Sequence, residues 1–100
     1  QGDGARNPFA PNPESLEIGR EAYTRTCQAC HGVSGLGDGP AAAAMDPPPA
    51  DLIVHIPLHP DRTLFEFIKK GIEGTQMKGL GEVLTDEEIW HIINYAQTLE

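Results

Sequence analysis

Cys27-Gln28-Ala29-Cys30-His31 is the stretch on which the reading of this chain turns. The C-x-x-C-H spacing is the one that attaches haem covalently. Each thiol can add across one vinyl group of a porphyrin, and the two intervening residues set the sulfurs the right distance apart. His31 then falls beneath the iron, where its imidazole can coordinate. Three other readings of the same residues compete with this one. Zinc needs four ligands. The second pair would have to come from His31, His55 or His59, and an adjacent Cys-His is an awkward chelate for a tetrahedral ion. A thioredoxin-type redox pair needs a preceding strand and a βαβ setting, whereas the residues before Cys27 read as helix. A chance occurrence would leave the downstream Met and the order of helices, which also fit haem, without a reason. Both cysteines of the chain lie in the motif, so nothing remains for a separate disulfide framework.

The 100 residues suffice for one domain and a modest apolar core. A haem would ease that shortage by adding a large flat apolar body for side chains to pack against. Hydrophobic residues at 39% and charged residues at 22% place the chain among globular proteins. No apolar run approaches the ~20 residues needed to span a bilayer. A net charge of −8, with only seven Lys and Arg, argues against a nucleic-acid partner and against an anionic membrane surface. Lys69, Lys70 and Lys78 could still form a local basic patch, although solvated surface lysines are the plainer reading. The chain begins at Gln1 without an initiator Met, which suggests a mature protein or a domain of a longer one.

Residues 1–12 carry Gly, Asn and Pro without an apolar period and read as a flexible arm or linker; residues 13–100 read as the domain. Asn12 as N-cap, Pro13 at the first helical position and Glu14 in the first turn predict a helix through about residue 27. Leu16, Gly19, Ala22, Tyr23 and Thr26 share one face of it. Gly19 costs about 1 kcal/mol against Ala inside a helix. A close approach by another helix, on the face of the last helix that carries Tyr95, would explain it. Glycines at 32, 35, 37 and 39, followed by Pro40, mark a loop; residues 41–45 could form a short helical turn, and Asp46-Pro47-Pro48-Pro49 favours extended backbone. Residues 51–59 read as an apolar loop over the core, because Pro57 and Pro60 remove backbone donors. A second helix is predicted from Asp61, as N-cap, to Lys70, with Gly71 ending it. After a Gly-rich loop containing Met77, the last helix is the clearest: Thr85 and Glu88 form a capping box, and Ile89, Ile92, Ile93, Ala96 and Leu99 follow at helical spacing.

Haem iron held by His on one side commonly takes Met on the other where the task is electron transfer. Met77 follows the motif by about 45 residues, in a Gly-rich loop between helices. Met45 follows His31 by only 14 residues and precedes the stiff proline run, so Met77 is the candidate axial ligand. The carbonyl of Pro40 is the candidate partner for the other ring nitrogen of His31. Arg62 is a candidate for bidentate pairing with a haem propionate. His55 and His59 could also bond a propionate, but solvated loop positions are the plainer reading. His91, on the last helix beside Trp90, reads as surface or partly buried structure.

With these residues in place, positions 13–100 resemble a class I c-type cytochrome. The resemblance rests on Gly19 and Tyr23, the Cys27–His31 motif, Gly37-Asp38-Gly39-Pro40 and Pro47-Pro48-Pro49-Ala50-Asp51-Leu52. It extends to Gly71-Ile72-Glu73-Gly74-Thr75-Gln76-Met77 and the acid-capped helix through Tyr95. It implies an all-α fold, a small cytochrome c fold with three main helices and loops wrapped around one covalent haem. It further implies haem c thioether-linked to Cys27 and Cys30, with His31 and Met77 as axial ligands, and a periplasmic or other extracytoplasmic location. In that reading the protein is a monomeric electron carrier, not an enzyme, and shuttles one electron between respiratory redox partners such as a quinol-oxidising complex and a terminal oxidase. An alternative is an electron-entry domain tethered to, or excised from, a terminal oxidase or other membrane redox complex. A further one is a haem sensor or peroxidase with an open sixth site. In one respect the chain departs from the pattern. Such proteins often place Pro and a large apolar residue after the axial Met, whereas Lys78-Gly79-Leu80 follows here. This bears on the stiffness of the Met77 loop, and it sets a positive charge near the expected haem edge.

Overall fold

Asn12 and Pro13 start the first helix where the sequence places its cap. In the computed structural model, which describes residues 6–99, helix α1 spans Pro13–Thr26. The Asn12 side chain accepts the Ser15 N–H at 2.8 Å. Cys27 caps α1 and the chain re-enters a single helical turn, α2 (Gln28–His31). A 3-10 turn at Ala42–Ala44 precedes α3 (Leu52–His55) and a second 3-10 turn at Ile56–Leu58. Helices α4 (Asp61–Lys70) and α5 (Asp86–Ala96) complete the order. Among the described residues there is no strand, only an isolated antiparallel bridge between Gly71 and Lys78. The fold is all-α, with α1, α4 and α5 as its three main helices.

The frame of the domain is the crossing of α1 over α5. A Cβ on Gly19 would collide with the His91 carbonyl oxygen and lie 2.9 Å from Tyr95 Cβ. Hydrogen is the only side chain that lets the two backbones meet this closely. The last helix is held at its start by the capping box: Thr85 Oγ1 accepts the Glu88 N–H at 3.1 Å, and Glu88 Oε1 accepts the Thr85 N–H at 2.9 Å. Tyr23, Ile89, Ile92 and Ile93 are buried between these helices, and α4 adds Leu64 and Phe65, whose ring stacks on Trp90 with centroids 4.3 Å apart.

Four sequence expectations differ from the structure. Asp61 is the first residue of α4 and not its cap. Pro60 takes the cap position without a side-chain bond, because the Asp61 carboxylate is engaged elsewhere, accepting from Asn7 N at 2.8 Å and Gln97 Nε2 at 3.1 Å. Residues 51–59 are not a loop. Asp51 caps α3 by accepting the Ile53 N–H at 3.0 Å, and Pro57 falls at the start of the following turn, where a missing N–H costs little. The arm is docked from Asn7 onward. Asn7 Nδ2 donates to Trp90 O at 2.7 Å and Asn94 Oδ1 at 3.0 Å, and Phe9 packs against the His91 ring. The part of the predicted arm at residues 1–5 lies outside the described residues. His91 is buried, its Nδ1 2.6 Å from Ser15 Oγ. Asn94 Nδ2 donates to that same oxygen, so the hydroxyl hydrogen is free to point at the imidazole.

Candidate functional site

Helix α1 delivers the motif. Tyr23, on the buried face of α1, donates its hydroxyl to Gly32 O at 2.6 Å and so ties the end of α2 back to the helix before it. Burial raises the pKa of this phenol far above its ordinary value. The loop after the motif then folds back beneath it. The amides of Gly37, Gly39 and Ala41 donate to the carbonyls of His31, Cys30 and Ala29 at 2.9, 3.0 and 2.8 Å. Gly39 has no space for a side chain there, since its Cβ would lie 2.5 Å from Gln28 O. These bonds satisfy the carbonyls at the end of a helix too short to satisfy its own.

The His31 ring is oriented by a different carbonyl from the one expected. Its Nδ1 stands 3.1 Å from Ala50 O, and a carbonyl only accepts, so Nδ1 carries the hydrogen and Nε2 presents its lone pair. The Pro40 expectation is therefore corrected. The Gly37–Pro40 turn is occupied with the backbone of the motif, and the ring is met by the segment that follows the proline run. Burial lowers the His31 pKa, with the Ala50 bond acting the other way. The balance favours the neutral imidazole, the form that ligates a metal. Burial likewise raises the pKa of the Cys27 thiol, against a smaller opposing effect of the Thr26 hydroxyl. The two cysteines are not joined to each other.

Two adjoining cavities open on this pentapeptide. The smaller, about 140 Å³, is lined by apolar side chains of α3, α4 and α5, among them Leu52, Phe67, Ile68 and Ile93. The larger, about 750 Å³, is bounded by Cys30, Met45, the prolines at 47–49, Thr75, Gln76 and Lys78. Cys27, His31, Ala50, Ile72 and Met77 border both. The structure thus brings the two motif thiols, the imidazole and the Met77 thioether around one space. Met77 comes to it at the end of a short loop closed by Ile72 N donating to Met77 O at 3.0 Å and by the Gly71–Lys78 bridge.

The other candidates divide between the cavity walls and the surface. Arg62 pairs with Glu66 Oε2 at 3.0 Å and lies 5.2 Å from the centre of the Phe65 ring, and it borders neither cavity. The i, i+4 spacing of Arg62 and Glu66 on one helix is the signal for that pairing. His55 and His59 both border the smaller cavity, His59 edge-on to Phe67 at 5.2 Å. Of the three lysines, Lys69 pairs with Asp86 and Lys70 with Glu66, and among the described residues Lys78 has no ion-pair partner. The Ala50 carbonyl had no sequence signal, because any residue supplies the same backbone atom. Among the described residues no three His, Cys, Asp or Glu side chains come together as a metal-binding group, so the zinc reading finds no ligand set.

The donors fit a covalent haem: two free thiols, an imidazole with its outer nitrogen available and a thioether bound an apolar space. No helix of the described residues is long and apolar enough to cross a membrane. Residues 14–95 match the family model described as cytochrome C oxidase, cbb3-type, subunit III. No curated protein sequence matches the chain. Among solved structures, the Kuenenia stuttgartiensis reducing HAO-like protein complex is similar over 90% of this chain, with TM-score 0.76 and 26% identity. Cytochrome CL from the marine methylotrophic bacterium Methylophaga aminisulfidivorans is similar over 92%, with TM-score 0.72 and 24% identity. The KustC0563 c-type cytochrome is similar over 78% of this chain and 92% of its own, with TM-score 0.62 and 24% identity. The chain spans only 46% and 57% of the first two. The match over residues 14–95, on an all-α fold that gathers the C-x-x-C-H motif around an apolar cavity, places this chain in the family of the cbb3-type cytochrome c oxidase subunit III, as a domain for electron transfer through covalently bound haem c.

Proposed function

We propose that the domain holds one haem c through Cys27 and Cys30, with His31 and Met77 as the axial ligands. The observation that carries this reading is that His31 and Met77 border the same two cavities as the motif thiol Cys27. The bound haem supplies a one-electron Fe(III)/Fe(II) couple. The protein's own residues do the rest. Ala50 fixes the tautomer and plane of His31. The Ile72–Met77 loop presents a thioether, a ligand that raises the potential. Apolar walls from α3, α4 and α5 keep water from the site. A closed pair of ligands changes geometry little with oxidation state, which suits a carrier and not an enzyme.

The partners in this reading are a donor and an acceptor protein that meet the larger cavity, which Lys78 borders; among the described residues Lys78 has no ion-pair partner. The location is extracytoplasmic. The family description and the partial coverage of the first two similar structures also favour a domain that works inside a larger redox complex.

The test is the visible spectrum of protein expressed with a haem-attachment system, together with a pyridine haemochrome assay. Two thioether bonds, and a far-red charge-transfer band in the ferric state, are the expected result. Met77→Ala should abolish that band, lower the potential and let carbon monoxide bind the reduced form. A variant that keeps the native potential and refuses carbon monoxide would remove Met77 from the ligand set.

A further inference from the structure

We propose that Thr75 is the positioning residue for Met77, standing in for the proline that the loop lacks. The proposal rests on Met77 being the axial ligand. Lys78 follows Met77, so no pyrrolidine ring stiffens the chain there. The structure supplies another constraint. The Thr75 hydroxyl donates to Ile72 O at 2.7 Å and accepts the Met77 N–H at 3.1 Å. The Met77 carbonyl accepts Ile72 N at 3.0 Å. Both backbone polar groups of Met77 are therefore fixed, one to the Thr75 side chain and one to the first residue of the loop. Below it, Leu80 N donates to Ile68 O at 2.8 Å and Gly81 N to Lys69 O at 3.1 Å, fastening the base of the loop to α4. Between these fixed points the peptide that bears the thioether has, among the described residues, one side-chain anchor, and it is Thr75. Thr75 borders the larger cavity beside Met77, so its loss would loosen the loop on the side that faces the haem.

The experiment is ligand exchange on the ferric holoprotein. Imidazole is titrated in, and loss of the far-red band is followed for the native protein, Thr75→Val, Thr75→Ser and Glu73→Ala. Valine keeps the shape and removes the hydroxyl; serine keeps the hydroxyl. Glu73 is exposed in the same loop and borders neither cavity. Thr75→Val should exchange at about five- to tenfold lower imidazole, the equivalent of one neutral hydrogen bond. Thr75→Ser and Glu73→Ala should stay within about twofold of native, a smaller change than one such bond makes. A valine variant that titrates like the native protein, a serine variant that fails to restore it, or a Glu73→Ala variant that shifts equally would each overturn the proposal. If the native ferric protein shows no far-red band and Met77→Ala titrates like native, the failure lies with the ligand assignment beneath it.

Discussion

The crossing of α1 over α5 and the space bounded by α3, α4 and the Met77 loop are built on opposite principles. At the crossing, the chain supplies everything. Gly19 admits the His91 backbone, Ile89, Ile92 and Ile93 fill the interior, and the buried polar groups find each other in a chain from His91 through Ser15 to Asn94 and Phe9 O. Around the cavities, aliphatic and aromatic side chains face a space, and the segments that carry them are held mostly by backbone hydrogen bonds. Part of this protein is a finished core, and the rest is a frame whose packing partner is the cofactor. For a chain of 100 residues, with little apolar surface to bury by itself, the haem is then as much a structural element as a redox centre.

The largest effect should come from separating the two. Replacing both motif cysteines, Cys27→Ala with Cys30→Ala, removes the covalent attachment while leaving the sequence of every helix but α2 intact. The packing surface of the cavities then has no permanent partner, and binding free energy that would stabilise the folded state is lost. Hydrogen exchange should report near-complete loss of protection in residues 45–60 and 71–81. The α1–α5 pair should retain partial protection, because the Gly19 contact with α5 and the His91–Ser15–Asn94 hydrogen bonds do not border the cavities, although Tyr23, Ile92 and Ile93 do. Uniform loss across the chain would mean that the crossing is no more self-sufficient than the loops.

The converse variant attacks the finished core. Gly19→Ala places a methyl group against the backbone of α5, which cannot rotate away as a side chain can. Gain in helix propensity works in its favour by about 1 kcal/mol. Overpacking against main chain should exceed that and leave a net loss of about 2 kcal/mol, read as a lower midpoint in chemical denaturation of the holoprotein. The ferric spectrum should remain native, since Gly19 and the His91 and Tyr95 atoms it meets border neither cavity. A stabilised variant would show that the two helices have room to separate.

These two regions also differ in how far the sequence reveals them. The α1–α5 crossing was legible because its signals are local: a proline and an asparagine at one helix start, a Thr-x-x-Glu box at the other, and a glycine whose presence inside a helix needs a reason. Cys27, Cys30, His31 and Met77 stand out in the sequence because their side chains carry distinctive chemistry, and all four border the larger cavity. The differences have separate physical causes. The partner of the His31 ring is a backbone carbonyl, which every residue has, so nothing marks Ala50. The arm from Asn7 looks structureless because its partners, Asp61, Trp90 and Asn94, lie 54 to 87 residues away. Residues 51–59 read as a loop only if two prolines outweigh Asp51, yet Asp51 is an acceptable cap and a proline near the start of a turn breaks no bond.

The smallest effect tests whether the finished region depends on charge as well as shape. Glu88 accepts the Thr85 N–H and pairs with Arg25 at 3.1 Å. The Thr85 backbone bond chiefly, with help from Arg25, holds the carboxyl pKa below its ordinary value of 4.5 against the opposing effect of burial. A folded pKa below the unfolded one means that the stabilisation is present at pH values above the unfolded pKa and is lost as pH falls through the lower, folded value. Glu88→Gln keeps an oxygen for the cap and removes the charge. The native protein should therefore be more stable than the variant near neutrality, by about half a kcal/mol for a partly exposed pair, with the gap closing as pH falls below the ordinary carboxylate value of 4.5 and through the lower, folded one. Carboxylates elsewhere titrate in both proteins and cancel in the difference, so the comparison isolates this one group. Thermal melts of the two proteins at matched pH measure it. A gap that persists unchanged into acid would show that α5 is capped by hydrogen-bond geometry alone, and that the crossing side owes nothing measurable to its ion pair.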